Sequence, residues 1–482
     1  MVNLLAPDLR RQPVSVTRKM SASLPGLRQL AQEKGLKIHH LGAGYPHPEV
    51  TDPRAFLEHQ SAYLDQLTAA ERLNDPTALP EHMREEFAYG DTLGPLRTRE
   101  IFARVYGNDW QVAIKPELLI PTVGATGGIS LMCSIFEHPG VPLAYITDAP
   151  TYAGFMARAG LCQHAKIYSV EMDDEGPRPD IFSRQIAAAR KAGFFVPFYY
   201  TVPDGHNPAG FSFSARRREE ILTIARQEGI LIVEDAPYLY INFAEPADRV
   251  QPFMSLDPKQ TVHLFTGSKI GFPGPRVAFL YSEAELEIAE GGNAKLAELA
   301  LVQSSADILF HNPAAFRGFE ALLHEASGDL RHSSSGSDEG RGSAMLNERK
   351  SLWPVAEGKL AVYRENRDIL LQQFAEELGA HKDLFHWTVP AAGFFSVFTF
   401  LRGDVRTDDE FVQRLVAEYG LVVIPMYDFY PPDARERNPD AGFDQLRISF
   451  CFSESTGEQR RKDLREAVGV FCSAVKQIAG LQ

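Results

Sequence analysis

The stretch LFTGSKIGFPGPRVAFL, residues 264–280, places a lysine and an arginine in a short loop between two apolar runs. The flanking runs, TVHLFTG (261–267) and RVAFLYS (276–282), are apolar at successive positions, as expected for strands that helices cover on both faces. A lone lysine at such a junction is usually a solvated surface residue. The same apolar pattern recurs earlier in the chain, so this loop is predicted to belong to a sheet of buried strands.

Helical patterns alternate with these apolar runs. One of them, SFSARRREEILTIARQEG (212–229), has Ser214 before a charged first turn and ends at Gly229, which are typical helix boundaries. This alternation predicts an α/β fold. The earlier candidate strands are ELLIPTV (117–123), PLAYITD (142–148), AGFFVPFYYTV (192–202) and ILIVEDA (230–236).

The amino-acid composition of the sequence changes after Leu323. A segment rich in Ser, Gly and charge follows, which we interpret as an insertion or linker. A second compact region then has a helix over 359–379, strands near 394–400 and 445–452, and a closing helix over 457–478. We therefore predict an N-terminal arm with part of a small domain (1–49), a large ligand-binding domain (50–324), the insertion (325–350) and a C-terminal small domain (351–482).

Composition excludes several classes of protein. The chain of 482 residues has 49 Lys and Arg against 63 Asp and Glu, a net charge of −14 that argues against nucleic acids and anionic membranes as partners. Its four cysteines show neither metal-ligand nor disulfide-framework spacing, so we expect no metal and a reducing compartment. No apolar run reaches the ~20 residues that span a bilayer. We expect a cytoplasmic protein, with a mitochondrial location as the alternative because residues 1–20 are basic.

The loop around Lys269 favours an anionic ligand that carries an aldehyde. A buried lysine with a lowered pKa is a Schiff-base nucleophile, and Arg276 can form a paired hydrogen bond with a phosphate. Pyridoxal phosphate is a ligand of this kind. It also needs a carboxylate at its ring nitrogen, for which Asp235 at a strand end is the candidate. Asn207 and Tyr238 could donate to its phenolic oxygen. Each residue has an ordinary alternative, such as a helix cap for Asp235 or a turn before proline for Asn207.

The joint order of these signals resembles the fold-type I pyridoxal-phosphate enzymes, in particular the class I/II aminotransferases of the aromatic and 2-aminoadipate (kynurenine-type) branch. The resemblance covers residues 38–475. It rests on LGAGYPHPE, YGDTLGPLR, TVGATGG, DAPTYAGF, PDGHNPAG, VEDAPYLY, FTGSKIGFPGPR, VYRENRDIL, AAGFFSVF and LRISF. The resemblance implies a large domain with a mainly parallel seven-stranded sheet between helices, a smaller α+β domain, amino acid and 2-oxo acid substrates, and a homodimer.

The resemblance also implies a role for each matching residue. Lys269 would bind the cofactor and move the proton, with Asp235 and Tyr238 as the other catalytic residues, while Arg447 would hold the substrate carboxylate. The remaining cofactor-binding residues would be Ala125, Thr126, Gly127, Tyr152, Asn207, Thr266, Ser268, Arg276 and, from the neighbouring subunit, Tyr89. Motif position adds Gly44, Tyr45 and Asn207 to the substrate site, and Phe272 to its rim.

Three departures and two alternatives accompany this interpretation. The YGDTLGPLR element is two residues shorter than the usual pattern, the Ser/Gly segment is extra, and SKIGFPGPR replaces the common SKTLAPGLR. Lyases, decarboxylases, synthases and oxidases share the cofactor and the scaffold, since the cofactor carries the chemistry. A non-catalytic regulatory module is the alternative of a different class. Within the aminotransferases, an aromatic or 2-aminoadipate-like substrate is expected.

Overall fold

The structure is a computed structural model and describes residues 16–481, except 45, 73–75, 78, 272, 326–346 and 452–454. Most of the predicted insertion lies outside the described residues, as do Tyr45 and Phe272.

The described residues form these helices and strands. The helices are α1 Val16–Glu33, α2 Pro53–Arg72, α3 Glu81–Phe87, α4 Leu96–Trp110, α5 Gly124–Phe136, α6 Ala153–Ala159, α7 Pro179–Lys191, α8 Ala215–Glu228, α9 Phe253–Leu256, α10 Leu296–Asp307, α11 Pro313–Leu322, α12 Trp353–Leu378, α13 Asp409–Tyr419, α14 Pro432–Arg437 and α15 Gly457–Ile478. The strands are β1 His39–His40, β2 Leu119–Val123, β3 Leu143–Ala149, β4 Ala165–Asp173, β5 Gly176–Pro177, β6 Phe198–Thr201, β7 Leu231–Asp235, β8 Thr261–Thr266, β9 Val277–Tyr281, β10 Glu285–Glu287, β11 Asn293–Lys295, β12 Phe385–Trp387, β13 Phe395–Phe400, β14 Leu421–Val422, β15 Ile424–Pro425 and β16 Gln445–Ser449.

The large sheet has the strand order β2-β9-β8-β7-β6-β3-β4-β5. Its central pairs, from β8 to β4, are parallel, whereas β9 runs antiparallel to both of its neighbours and β5 is a two-residue antiparallel edge strand. The predicted α/β fold with a mainly parallel sheet is therefore confirmed. The sheet has eight strands, not the expected seven, because the short edge strand β5 pairs with β4. The carboxyl ends of β6, β7 and β8 share one edge, which is where ligands bind in open sheets of this kind.

The continuous apolar runs form this sheet because helices cover both of its faces. Every residue of β3, β6, β7, β8 and β9 is buried. The run predicted over 192–202 forms a regular strand only from Phe198, since Pro197 has no N–H to donate to a ladder. The predicted caps of α8 are also present: the Ser214 hydroxyl accepts from the Arg217 N–H, and Gly229 has φ of +60°.

A smaller antiparallel sheet, in the order β12-β13-β16-β15, lies in the C-terminal region. Helices α12 and α15 pack beside it, and the rings of Phe374, Phe398 and Phe471 lie 5.0–5.8 Å apart, centroid to centroid. Strand β1 pairs in parallel with β14, so the start of the described chain joins this region. None of the described helices is both long and apolar enough to cross a membrane.

Candidate active site

One cavity, of about 320 Å³, opens at the carboxyl edge of the large sheet. It brings together most of the residues predicted from the sequence. These are Gly44, Ala125, Thr126, Tyr152, Asn207, Asp235, Tyr238, Thr266, Ser268, Lys269, Arg276 and Arg447. Gly44 and Arg447 come from opposite ends of the chain, so the fold itself assembles the site.

Lys269 follows β8 and points across the cavity. Its Nζ donates to the Gly44 carbonyl at 2.8 Å and lies 5.7 Å from the centre of the Tyr238 ring. Burial lowers the pKa of Lys269 to about 8, because the surroundings disfavour a charged amine. At pH 7 about one tenth of the Lys269 amine is therefore neutral, far more than at the usual lysine pKa, and the neutral amine is the nucleophilic form.

Asp235 ends β7 with only 3% of its surface exposed. Its Oδ2 accepts from the Tyr200 hydroxyl at 2.8 Å, while its buried Oδ1 has no hydrogen-bond partner among the described residues. Burial raises the pKa of Asp235 to about 6, and the hydrogen bond from Tyr200 opposes that rise. A buried carboxylate oxygen without a partner is costly unless a cationic donor reaches it.

Arg447 lies in β16 and is fully buried. Its Nη1 donates to Asn207 Oδ1 at 2.8 Å and its Nη2 to the Gly42 carbonyl at 3.1 Å, while the Phe395 ring lies 4.0 Å from the guanidinium. The buried Nε has no hydrogen-bond partner within the described part of the chain. Burial lowers the pKa of Arg447 to about 10. The tethered guanidinium thus keeps donor capacity for an anion such as a carboxylate.

A cradle for a second anion lies where β2 leads into α5. Gly124, the first residue of α5, has φ of +66°, and the guanidinium of Arg276 packs directly against its backbone. Arg276 Nη1 donates to Ser268 Oγ at 3.2 Å, and Ser268 Oγ lies 2.9 Å from Thr266 Oγ1. The first turn of α5 presents backbone amides that have no acceptor within the helix. A helix N-terminus, hydroxyls and a guanidinium together form a phosphate-binding arrangement.

Residues 60–315 match the family described as aminotransferase class I and II. The chain belongs to this family. Over 444 residues, 90% of this chain and 88% of the relative, the aminotransferase is 27% identical to the (S)-3,5-dihydroxyphenylglycine transaminase of Amycolatopsis orientalis. It is 30% identical to the mitochondrial kynurenine/alpha-aminoadipate aminotransferase of Bos taurus over 172 residues, 34% of this chain and 39% of the relative. The predicted family is therefore confirmed.

A solved structure shares the fold. The alpha-aminoadipate aminotransferase of Thermus thermophilus, complexed with N-(5'-phosphopyridoxyl)-L-leucine, superposes with a TM-score of 0.69 at 19% identity, covering 98% of this chain and 97% of the other. The family match and this shared fold together make the chain a fold-type I aminotransferase that depends on pyridoxal 5'-phosphate.

The residues of this aminotransferase fit that cofactor. The Asp235 Oδ1 that has no partner in the described chain matches a protonated ring nitrogen, and the cradle at Gly124 and Arg276 matches a phosphate. An added Cβ at Gly124 would collide with Arg276, so only glycine leaves room for the guanidinium there.

Two predicted residues of the aminotransferase lie elsewhere. Gly127 lines a neighbouring cavity of about 280 Å³, whereas Ala125 and Thr126 line the main one. Tyr89 is 87% exposed, and its ring meets the Phe310 ring edge-on at 5.8 Å. Leu24 of α1 and His40 of β1 also line the main cavity, although neither is among the residues expected from the sequence. No local motif marks either residue, since only the folded chain brings them to Lys269.

Proposed function

We propose that this aminotransferase moves the amino group of an aromatic L-amino acid to a 2-oxo acid in two half-reactions. The observation that carries the proposal is the meeting of three groups in one cavity: the Lys269 amine, the Asp235 Oδ1 and the Arg447 Nε, the latter two without partners in the described chain. They correspond to the covalent anchor, the ring-nitrogen partner and the carboxylate receptor that amino transfer requires.

Different side chains would bind different parts of the cofactor. Asp235 would hold the ring nitrogen, Asn207 and Tyr238 the phenolic oxygen, and Tyr152 the face of the ring. The phosphate would lie against Ala125, Thr126, Thr266, Ser268 and Arg276. Gly127, whose surface faces the neighbouring cavity, would contribute through its backbone amide in the first turn of α5. When bound, pyridoxal phosphate supplies an electron sink for the bond that breaks.

Lys269 and Arg447 perform the steps that belong to this chain. Arg447 fixes the substrate carboxylate, which decides the bond at Cα that faces the sink. Lys269, once free of the aldehyde, takes the Cα proton, and its lowered pKa keeps a neutral amine available for this purpose. The Gly44 carbonyl holds the free amine at 2.8 Å and so limits where it can move.

The wall of the cavity favours an aromatic substrate over 2-aminoadipate. Leu24, Phe395 and Ile424 supply apolar surface, and His40 adds an imidazole. Among the described residues that line the cavity, the Lys and Arg side chains are Lys269, Arg276 and Arg447, and each already has a role. A second substrate carboxylate would therefore meet no further Lys or Arg side chain among the described residues of the wall.

A half-reaction screen tests this function. The holoenzyme is mixed with single amino acids, and the absorbance of the lysine-bound cofactor is followed as it converts to the aminated form. We expect aromatic amino acids to convert fastest and 2-oxoglutarate to yield glutamate afterwards. A Lys269→Ala variant should give no conversion and no borohydride-reducible link. Release of ammonia or a thiol instead of glutamate would contradict amino transfer, and rapid conversion of 2-aminoadipate alone would contradict the substrate class.

We also propose a homodimer in which Tyr89 reaches the neighbouring site. Tyr89, Leu96, Val123 and Leu309 are large apolar residues with 42–87% of their surface exposed. Such a group of side chains fits an interface with a second copy. Light scattering gives the mass. Mixing Lys269→Ala chains with Tyr89→Ala chains should restore activity in hybrids beyond either parent, and no restoration would contradict a shared site.

The finer divisions of the chain are also proposals. The pairing of β1 with β14 supports the assignment of residues 1–49 to the arm and small domain, next to 50–324, 325–350 and 351–482. No disulfide joins the four cysteines, all of which lie within the described residues, and this fits a cytoplasmic location. Fractionation of cells expressing the tagged chain tests the compartment.

A further inference from the structure

Two neighbouring tyrosines on β6 reach carboxylates on opposite faces of the large sheet. Tyr200 pairs with Val233 of β7, and Asp235 lies two residues further along on the same face. This diagonal is within reach of a tyrosine, so the Tyr200 hydroxyl donates to Asp235 Oδ2 at 2.8 Å. Parallel pairing of β6 and β7 thus places a fixed donor beside the carboxylate of the active site.

Packing fixes the position of the Tyr200 hydroxyl. The side chain is fully buried, and its ring stacks on Phe155 of α6 with the centroids 4.1 Å apart and an angle of 7° between the planes. A ring held in this way cannot move its hydroxyl oxygen away from Asp235 without losing its stacking partner. The Asp235 Oδ2 is therefore occupied, and Oδ1 is the oxygen left for the cavity.

Few other groups act on the Asp235 carboxylate. Burial disfavours its negative charge, while the Tyr200 hydrogen bond and, through space, His263 of β8 and Lys269 favour it. His263 itself is occupied, because its Nδ1 pairs with Glu234 Oε2 at 2.7 Å and its Nε2 with the Tyr106 hydroxyl at 2.7 Å. Among the described residues, Tyr200 is thus the one that donates a side-chain hydrogen bond to Asp235, and it opposes the effect of burial.

We propose that Tyr200 is a positioning residue of this aminotransferase, which anchors Asp235 Oδ2 so that a charged Oδ1 faces the ring nitrogen of the cofactor. The inference rests on the proposed role of Asp235 and deepens it. The described residues that line the cavity do not include Tyr200, so it acts only through the carboxylate. Loss of the Tyr200 hydroxyl should weaken the binding of a cofactor that has a ring nitrogen, and it should not change the binding of a cofactor that lacks this atom.

Tyr199 provides a matched control. It pairs with Ile146 of β3, and its hydroxyl donates to Asp148, again two residues further along on the shared face. It is fully buried like Tyr200, but Asp148 is not one of the described residues around the cavity. Tyr199→Phe therefore removes an equivalent buried hydrogen bond to a carboxylate without changing Asp235.

The experiment compares two cofactors on each apoenzyme. The probes are pyridoxal phosphate and its carbocyclic analogue, in which CH replaces the ring nitrogen. For Tyr200→Phe we expect the affinity for pyridoxal phosphate, relative to the affinity for the carbocyclic analogue, to fall ~10-fold, because hydrogen bonds to charged groups are among the stronger ones. For Tyr199→Phe we expect an unchanged ratio. An equal loss of affinity for both cofactors in Tyr200→Phe, with wild-type binding intact, would overturn the positioning role alone. Failure of the wild type to bind pyridoxal phosphate would overturn the proposed function as well.

Absorbance titration of the holoenzyme gives a second, independent readout. A ring with less positive charge holds a neighbouring proton more tightly, so the pKa of the Lys269–cofactor link should rise by ~1 unit in Tyr200→Phe. Phe155→Leu keeps the hydroxyl but removes its stacking partner, and it should raise the same pKa by a smaller amount. This second variant keeps the test decisive if Tyr200→Phe does not fold. An unchanged pKa in the variant that folds would overturn the inference.

Discussion

The substitution Gly124→Ala isolates the phosphate cradle from the rest of the site. An added Cβ would lie 2.5 Å from Cζ of Arg276 and closer still to Nη2, so the guanidinium must leave its place. Loss of one charge-assisted hydrogen bond to the phosphate corresponds to about 1.5–3 kcal/mol, which is ~10- to 150-fold in cofactor affinity. The φ of +66° adds a strain of about 1–2 kcal/mol that lowers the stability of the fold.

Titration of the apoenzyme measures this effect with two ligands. We expect the affinity for pyridoxal phosphate to fall ~10- to 150-fold in Gly124→Ala, and the affinity for pyridoxal, which has no phosphate, to stay within ~3-fold. Gly193→Ala is the control, since Gly193 has φ of +85° and open space around it among the described residues. It should lose similar stability and bind both ligands normally. Wild-type affinity for pyridoxal phosphate in Gly124→Ala would refute the argument that Arg276 and Gly124 form the cradle.

Three further predictions concern the substrate, the lysine and the contact between the two sheets. Arg447→Lys should lower kcat/KM for amino acids by ~100-fold or more, because a single ammonium cannot replace the guanidinium fork. The affinity for the cofactor should stay unchanged. A small loss of kcat/KM would contradict the assignment of Arg447. The rate at which apoenzyme attaches pyridoxal phosphate should rise with pH and level off above about pH 8, where Lys269 becomes neutral; a rate that climbs to the usual lysine pKa of 10.5 would contradict the lowered value. Gly205→Ala should destabilise the fold by ~2–4 kcal/mol in denaturant titration, since its Cβ would lie 2.6 Å from the Gly393 amide nitrogen; wild-type stability would show that the backbones can separate.

Much of the fold follows from local patterns in the sequence. The buried strands appear as apolar runs without alternation, and α15 begins at Gly457 and ends at Ile478, as predicted. Strand β4 has nine residues but no continuous apolar run, because this strand near the sheet edge is partly exposed and carries charges such as Lys166 and Glu171. A half-exposed strand gives a weaker apolar signal than one covered on both faces.

Some residues of the candidate site can be predicted from local motifs, whereas others are brought to the site only by the fold. Lys269, Asp235 and Asn207 stand in motifs whose residue types indicate the chemistry. Leu24 and Tyr200 do not, since each becomes relevant only when chain segments far apart in sequence meet. A tyrosine in an apolar strand is expected in a core, and only the register of β6 against β7 shows its contact with a carboxylate.

The Arg447 guanidinium joins three separate parts of the chain, since it lies on β16 and is tied to Asn207 and to the Gly42 carbonyl. If Arg447 binds the substrate carboxylate as proposed, the strength of that binding depends on how the small sheet packs against the large one. Natural variants that alter packing in α12 or α15, far from any reacting atom, should for this reason change KM before they change the spectrum of the bound cofactor.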